Sequence, residues 1–310
     1  MPKKAESFSR KSECLPRKAQ AKLAFELKEE GFRLKDIFLV VGIPEATYHY
    51  HIKNFIKEDP DRELKELITD LFKKFHERYG YKRITKELKK LGHCVNHKRV
   101  YRLMRELGLK CVKFMRKSRK YNSYKGKIGK VAKNRISRRF STPIPLQKLV
   151  TDITEFKCLG EEKLYLNPIL DLYNGEVIAF GIRKRPTLYL VMDPLKETIV
   201  IIENHATYRT TIHSDQGWHY QHNQWVKTLK ANKIFQSMSR KATCADNASM
   251  ENFFGILKQE MYYGEKLVSY EELKRRIAEY IYWYNNERSK AKLAGLSPVE
   301  YRTQSSQSAA

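Results

Sequence analysis

Long apolar runs, paired cysteines and a phosphate-cradling glycine loop are all missing from this chain of 310 residues. No stretch of ~18 consecutive apolar residues occurs, so a membrane-spanning helix is not expected. The first residues are polar, so we expect no secretory signal and a cytoplasmic location. The five cysteines are odd in number and widely spaced, which favours reduced thiols over a disulfide framework. Without a glycine loop, ATP use is not indicated.

Acidic residues are scarce, with 35 aspartates and glutamates against 61 lysines and arginines, a formal charge of +26. An excess of this size indicates a polyanionic partner, most often nucleic acid. Between Glu106 and Asp152 acidic residues are absent, and 14 cations fill the stretch. We interpret it as an arm that follows DNA phosphates, with Arg116, Arg119 and Lys120 among its contacts. A flexible, solvated linker is the alternative.

Two helix-turn-helix units are predicted before this arm, the first within residues 1–58. Its apolar side chains recur at helical spacing from Leu34 to Val41, Gly42 ends that helix, and Pro44 suits the start of the next. A helix, a glycine turn and a second short helix are the layout of a helix-turn-helix.

The second unit, residues 60–112, is predicted to hold three helices, with Asn96 as the N-cap of the third. The inner face of that third helix is made of Val100, Leu103, Met104 and Leu107. Its opposite, basic face is made of Lys98, Arg99, Arg102 and Arg105. A helix that enters the major groove of DNA has this division. An ordinary amphipathic helix with a solvated basic face is the alternative.

After a basic linker at 113–146, the pattern predicts an α/β domain over 147–304 and a disordered tail over 305–310. Strands are predicted at 149–156, 164–173, 176–182, 210–214 and 234–237, with a hairpin turn at Asn174-Gly175. Helices are predicted at 188–202, although Pro194 interrupts it, at 223–233, and from Asn247 onward. Ser269 and Glu272 predict a capping box before the last long helix.

Three acids of this domain are candidates for chemistry. Asp152 lies inside the first strand, Asp215 ends another strand, and Glu251 lies on a helix, off its apolar stripe. Carboxylates from two strands and a helix suit hard divalent cations, Mg²⁺ or Mn²⁺. Two such ions ~4 Å apart can clamp the attacking and leaving oxygens of a phosphoryl transfer. Lys258, about two turns after Glu251, would hold the DNA phosphate beside them. For each acid alone, a cap or a surface charge is the alternative.

The spacing of these acids, with 35 residues between Asp215 and Glu251, resembles the D,D(35)E pattern of retroviral-integrase-like transposases. The sequence motifs around them resemble those of the OrfB-type transposases of the IS-three family of bacterial insertion sequences. This resemblance covers about residues 60 to 303. Those motifs include Thr151-Asp152-Ile153-Thr154, His213-Ser214-Asp215-Gln216-Gly217, Asp246-Asn247-Ala248-Ser249-Met250-Glu251 and Tyr284-Asn285-Asn286-Glu287-Arg288.

The resemblance implies a ribonuclease-H-like catalytic core, with a mixed five-stranded sheet and helices, preceded by all-α helix-turn-helix units. It implies that Asp152, Asp215 and Glu251 bind two Mg²⁺ (or Mn²⁺) ions, cut a DNA strand and join the freed 3′-OH to another phosphodiester. The implied partners are double-stranded DNA, as terminal inverted repeats and target, further copies of the chain on paired ends, and a small upstream-frame product. A repressor that binds ends without cutting, and a nuclease without strand transfer, are the alternatives.

Three further residues in or near these motifs have competing interpretations. Asp171 is interpreted as a structural carboxylate in preference to a fourth acid of the cleft. Asp246 is interpreted as the N-cap of the Glu251 helix. His213 either lines the cleft or makes a structural hydrogen bond, and the sequence favours neither.

Overall fold

The computed structural model describes residues 15–56, 59–111, 131–240 and 244–307. The chain divides into two compact units, residues 1–70 and 71–310. The boundary lies within a helix, later than the one we expected near residue 59. In the described ranges, no helix is long and apolar enough to cross a membrane.

The first unit contains a three-helix arrangement made of α1 (Arg17–Glu29), α2 (Leu34–Val41) and α3 (Glu45–Ile56). Gly42 ends α2 in the left-handed region at φ 69°, and its N–H donates to the carbonyl of Phe38. Glycine adopts this conformation without steric cost. The two predicted helices and their glycine turn are present, and α1 is a further helix that the sequence did not predict.

The second helical region consists of α4 (Arg62–Lys74), α5 (Tyr81–Lys90) and α6 (His97–Glu106). The predicted N-cap is confirmed, because Asn96 Oδ1 accepts a hydrogen bond from the Lys98 N–H at 2.8 Å. Val100, Leu103 and Met104 are buried as predicted. Leu107 is exposed, because α6 ends at Glu106 and the chain turns away there.

A mixed sheet forms the centre of the α/β domain that follows the helical regions. Its strands are β1 (Lys148–Thr151), β2 (Thr154–Lys157), β3 (Lys163–Asp171), β4 (Val177–Arg183), β5 (Thr211–Ser214) and β6 (Phe235–Met238). β4 flanks β3 on one side, and both β1 and β2 pair with β3 on the other. β5 and β6 then follow in parallel with β1. β1 and β2 therefore share one position, and the six strands fill the five places that the resemblance implied.

Helices cover both faces of this sheet. They are α7 (Tyr189–His205), α8 (Trp218–Gln221), α9 (Asn223–Ala231), α10 (Ala248–Met261), α11 (Tyr270–Asn286) and α12 (Pro298–Gln307). Successive residues of β1 enter different cores, because side chains alternate along a strand. Val150 packs with residues of α10 and α11, and Leu149 packs with residues of α7 and α9. α12 continues to Gln307, past residue 305, where we placed the start of the tail.

Helix α7 continues through Pro194, where we expected an interruption of the helix. A proline lacks the N–H that would bond to the carbonyl four residues earlier, here that of Leu190. Gly181 on β4 lies against this carbonyl, and a Cβ at position 181 would overlap the Leu190 oxygen and lie 3.3 Å from Pro194 Cδ. Glycine thus allows the strand to approach the helix at the turn that proline opens.

The hairpin predicted at Asn174-Gly175 exists, but its loop is longer than two residues. The ladder resumes at Val177 opposite Leu170 after a register shift. Gly175 adopts φ 72°, and its N–H donates to the Asp171 carbonyl at 2.7 Å. Asn174 Nδ2 donates to the carbonyl of Pro298, so a contact with the last helix decides the loop conformation.

Residues 131–146 pack on this domain, although we assigned them to the linker. Ile136 and Leu146 are both buried, each in one of the two cores. The Ala132 N–H donates to Met238 Sδ at 3.4 Å. The charge pattern did not reveal that this segment packs on the domain, because the buried contacts are made by single apolar residues among many cations. The rest of the predicted linker, residues 113–130, lies outside the described residues.

Candidate active site

Asp152 lies in the break between β1 and β2, where the strand predicted over 149–156 is interrupted. Its Oδ1 accepts the N–H of Ile153 at 2.8 Å, and its Oδ2 accepts the amide Nδ2 of Asn247 at 3.0 Å. Its backbone carbonyl accepts Nδ2 of Asn167 at 3.0 Å. The break frees one backbone amide from the ladder, and that amide orients the carboxylate.

Asp215 follows β5 directly, and the topology brings it to the same sheet edge as Asp152. β1 and β5 run parallel with Val150 opposite His213, and each acid comes two residues after this pair. Asp215 Oδ1 accepts the N–H of Gly217 at 2.8 Å. Both carboxylates therefore lie beyond the carboxyl ends of neighbouring parallel strands, a common location of sites in open α/β sheets.

Glu251 lies in the first turn of α10 and is exposed. Its neighbour Met250 is buried in the same core as Val150 of β1, which places this end of α10 beside the first acid. Within the described residues, none of the three carboxylates forms an ion pair with a lysine, arginine or histidine.

The pKa values of the three acids show how they interact. Burial and then the charges of Asp215 and Glu251 hold the pKa of Asp152 well above its usual value. Burial also raises the pKa values of Asp215 and Glu251. Like charges in a poorly hydrated place disfavour ionisation of each other, and a cation among them would reverse this.

As they stand, the described side chains do not form a complete set of metal ligands. No group of three or more histidine, cysteine, aspartate or glutamate side chains in these ranges is arranged to hold a metal ion. Glu251 is the exposed member of the trio, whereas Asp152 and Asp215 are half-buried.

Asn167 on β3 is a fully buried polar residue behind the acids, and the sequence analysis gave it no role. Its Nδ2 lies 2.8 Å from Thr151 Oγ1, 2.8 Å from Tyr220 Oη and 3.0 Å from the Asp152 carbonyl. Burial, and then the charges of Asp152 and Asp215, raise the pKa of Tyr220 well above its usual value. An asparagine within an apolar strand was the signal that could have found this support.

Lys258 lies two turns after Glu251 on α10, as predicted. Its Nζ donates to the backbone carbonyl of Glu155 at 3.1 Å and lies 4.9 Å from the ring centroid of Phe156. Both partners belong to β2, the strand that follows Asp152. The structure therefore places this ammonium group on the strand next to the acids.

The DNA-contact residues predicted on α6 are all exposed, namely Lys98, Arg99, Arg102 and Arg105. Arg102 also forms an ion pair with Glu106 at 3.1 Å, on the same helix. The three candidates from the arm, Arg116, Arg119 and Lys120, lie outside the described residues.

Asp246 is not the N-cap that the sequence predicted. It lies in a 3₁₀ turn, Cys244–Asn247, and the residue before α10 is Asn247, without a side-chain capping bond. The Asp246 carboxylate instead binds Arg138 and Arg240, whose positions in the chain gave no sign of this pairing. Hydrogen bonds from Arg240, against the effect of burial, hold the pKa of Asp246 well below its usual value.

His213 and Asp171 are both structural. His213 is fully buried, with Nδ1 2.8 Å from Ser237 Oγ and Nε2 2.9 Å from the Asp246 carbonyl. Asp171 is buried and accepts the N–H groups of Leu146 and Tyr173, and burial raises its pKa to about 6. The interpretation of Asp171 as a structural carboxylate is confirmed.

A buried ion pair ties the second helix-turn-helix region to the catalytic domain. Glu260 of α10 accepts hydrogen bonds from Arg288 at 2.9 and 2.6 Å, and from Arg83 of α5 at 3.4 Å. Burial would raise the pKa of Glu260, but Arg288 lowers it below the usual value. Tyr79 Oη accepts the Ser289 N–H at 2.9 Å. These residues lie within a single compact unit.

Three protein-family matches follow the same division. The HTH-like domain family matches residues 59–118, and the integrase core domain families match residues 142–244 and 251–305. The chain is 40% identical over 273 residues to the transposase InsK of insertion sequence element IS150 from Escherichia coli K12, covering 88% of this chain and 94% of that protein. It is 32% identical over 233 residues to the transposase InsF of insertion sequence IS3A from the same organism, covering 74% and 78%.

The chain belongs to the IS-three family of insertion-sequence transposases. It is an OrfB-type DNA transposase, and its catalytic core has the ribonuclease-H-like fold of the integrase core family. Its enzyme class is therefore that of the polynucleotidyl transferases. Nothing in the comparisons favours a repressor or a nuclease without strand transfer.

Solved structures similar to this transposase include two catalytic cores. The catalytic core domain of HTLV-2 integrase, in complex with magnesium, is 16% identical with a TM-score of 0.39, and covers 51% of this chain and 97% of that one. The catalytic domain of Mos1 mariner transposase is 12% identical with a TM-score of 0.39, and covers 44% and 70%.

Proposed function

We propose that Asp152, Asp215 and Glu251 are the catalytic residues with which this transposase cuts a strand at the insertion-sequence end and joins the freed 3′-OH to target DNA. The observation that carries this proposal is the placement of Asp152 and Asp215 at one edge of adjacent parallel strands. The charges of Asp215 and Glu251 both raise the pKa of Asp152, which supports a shared site.

The same three carboxylates would hold the divalent cations, two Mg²⁺ or Mn²⁺ ions. Hard oxygen donors are what these ions prefer, and the uncompensated acids favour a cation among them. A second observation agrees: Oδ1 of Asn247, the residue bound to Asp152, is buried without a hydrogen-bond partner in the described structure. When bound, such ions lower the pKa of an attacking water or hydroxyl and stabilise the leaving oxygen.

Backbone and side-chain amides of the chain itself orient the carboxylates. The Ile153 amide and the Asn247 amide fix the two carboxylate oxygens of Asp152, so this acid does not need to reorganise. The Gly217 amide fixes Asp215 in the same way. Lys258, held on β2, presents its charge to the phosphate next to the bond that is cut.

DNA recognition falls to the helical region and the arm. The exposed basic face of α6, with Lys98, Arg99, Arg102 and Arg105, would contact the terminal inverted repeats. The acid-free arm, with Arg116, Arg119 and Lys120, would bind the phosphate backbone of the same duplex. We also propose that several copies assemble on paired ends, act on cytoplasmic nucleoid DNA, and associate with an upstream-frame product.

Strand transfer on a duplex with the terminal repeat of the encoding element tests the assignment. The full chain with Mg²⁺ should join a pre-cut 3′-OH end to plasmid DNA, and Asp152→Asn, Asp215→Asn and Glu251→Gln should each abolish joining while end binding persists. Asp193→Asn is the control, since it removes an exposed carboxylate paired with Arg183. Full activity of Asp152→Asn or Glu251→Gln would disprove the assignment.

The same assay, run on an uncut duplex as well as on the pre-cut one, separates the alternatives. A wild-type chain that binds ends but neither cuts nor joins them, with Mg²⁺ or Mn²⁺, would be a repressor. A chain that cuts ends but does not join a supplied 3′-OH would be a nuclease.

A further inference from the structure

We propose that Asp246 is a positioning residue through which residues 134–138 hold the start of the catalytic helix α10 in place. This inference rests on the proposed function of the acid trio, and it adds a residue that does not itself touch substrate. The reasons are the number of its contacts, their burial and the identity of the residue that follows it.

Five hydrogen bonds converge on the Asp246 carboxylate. Arg240 donates three, from its backbone N–H at 3.1 Å, from Nε at 2.9 Å and from a terminal nitrogen at 3.0 Å. Arg138 Nε donates at 3.0 Å and Asn134 Nδ2 at 3.0 Å. The carboxylate is fully buried, whereas the side chains of Arg138 and Arg240 are 54% and 61% exposed. Two surface arginines thus converge on one interior acid.

The backbone of Asp246 closes a second connection between the same segments. Its carbonyl is bound by His213 Nε2, whose other nitrogen lies 2.8 Å from Ser237 Oγ. Ser237 Oγ in turn accepts the N–H of Arg135 at 2.8 Å. The Asp246 carbonyl can only accept, so Nε2 of His213 donates to it. Residues 134–138 are therefore tied to Asp246 by side chains and also through β5 and β6.

Asp246 fixes the position of the residue that follows it, Asn247. Asn247 donates to Asp152, and Glu251 lies one helical turn further on. Ile136 is buried in the same core as Met250 and Phe253 of α10, so residues 134–138 also support this helix through apolar packing. A shift of Asp246 would move Asn247 off Asp152 and change the separation between the helix acid and the strand acids.

Loss of these contacts should therefore affect the chemical step more than DNA binding. Supporting groups behind metal ligands change metal affinity or activity by about 10- to 100-fold when they are removed. We expect the single-turnover rate of strand transfer by Asp246→Asn to fall in this range. The Mg²⁺ concentration for half-maximal rate should rise, and the Kd for the end duplex should stay within about twofold of wild type.

The experiment compares the full chain with three variants on a pre-cut duplex of the terminal repeat, with Mg²⁺ titrated. Arg138→Gln removes one donor from the exposed side, so it should fold and show a smaller effect in the same direction. Glu176→Gln is the matched control, because this buried carboxylate also binds an arginine, Arg302, at 2.8 and 3.0 Å, in the β3–β4 loop.

Rates of Arg138→Gln and Asp246→Asn within twofold of wild type would overturn the positioning role. Equal losses in binding and rate would also overturn it, as would an equal loss of rate in Glu176→Gln. If Asp246→Asn does not fold, Arg138→Gln decides the question alone. Failure of the proposed function is distinct, because Asp152→Asn would then remain as active as wild type.

Discussion

Asn247 and Asp152 are joined by a 3.0 Å hydrogen bond in which the amide donates and the carboxylate accepts. The two residues are 95 positions apart and belong to the loop before α10 and to the break between β1 and β2. The bond lowers the pKa of Asp152, against the larger effects of burial and of Asp215. Asn247 therefore favours the ionised acid that the proposed chemistry needs.

We expect Asn247→Ala to lower the rate of strand transfer about 10-fold or more. The pKa of Asp152 should rise, so the acidic limb of the pH–rate profile should move to higher pH. Single-turnover rates from pH 6 to 9 measure this. Asn204→Ala is the control, since Asn204 is exposed and donates to the carbonyl of Val200 on its own helix. An unchanged limb would show that Asn247 does not act on Asp152.

Divalent cations should stabilise the wild-type chain through the acid trio. A ligand that binds only the folded state raises the melting temperature with its concentration. We expect Mg²⁺ or Mn²⁺ to raise Tm for wild type and for Asp193→Asn, and to leave Asp152→Asn unchanged. In EDTA, Asp152→Asn should melt at or above the wild-type temperature, because it removes a like charge from beside Asp215. A lower Tm in EDTA would contradict this account.

Gly181→Ala should destabilise the catalytic domain by about 1–3 kcal/mol, because the new Cβ overlaps the Leu190 carbonyl. Gly255→Ala is the matched control: it lies within α10, and a Cβ there meets nothing within 4 Å. That substitution should be neutral or stabilise by about 0.5–1 kcal/mol. Urea unfolding of both variants measures the difference. Equal stability of the two would mean that the strand can yield at position 181.

Lys290 should make the stability of this domain depend on pH. Its Nζ donates to the carbonyls of Asn174 and Gly175 and lies 4.3 Å from the Tyr284 ring centroid. Burial, and then the charge of Arg288, lowers its pKa to about 7. The unfolded chain, with a lysine pKa near 10.4, binds more protons above pH 7, so the free energy of unfolding should rise with pH from about 7.

Lys290→Met should flatten this rise, which is at most about 1.4 kcal/mol per pH unit for one proton. Lys292→Met, at an exposed position, should leave it unchanged. Urea unfolding at intervals from pH 6.5 to 9 is the measurement. A wild-type curve that falls across this range, or an equal slope in Lys290→Met, would refute the prediction.

Removal of the arm should weaken the salt dependence of DNA binding. The deletion covers 113–130, which contains eight cations, and stops there because residues 131–146 pack in the domain cores. The slope of log affinity against log salt should become shallower by up to about 7, at about 0.9 per phosphate neutralised. Fluorescence anisotropy at several salt concentrations measures it. An unchanged slope would make this stretch a plain linker.

Much of the fold could be predicted because its signals are local. Gly42 ends a helix by its own backbone, Asn96 caps α6 through a bond two residues away, and alternating apolar residues define the strands. The acids could be found because their chain spacing carries the family pattern. Their roles still rest on the experiments above.

The errors concern contacts between distant parts of the chain. Asp246 stands where a cap would stand, but partners 6 and 108 residues away decide its role. The break at Asp152 depends on how β1 and β2 share one neighbour, which periodicity along a single strand does not reveal. In the same way nothing in the sequence indicated the ion pair between Glu260 and Arg288, which are 28 residues apart.

The contacts of Glu260 with Arg83 of α5, and of Ser289 with Tyr79 just before α5, join this helix to the catalytic domain. We expect the basic face of α6 and the acids to keep a fixed separation, because both lie in one compact unit. This separation would then set the number of base pairs between the contacted repeat and the cut phosphate, whatever the length of the arm. Extra base pairs inserted there should move the cut within the element by the same number, at a fixed distance from the repeat.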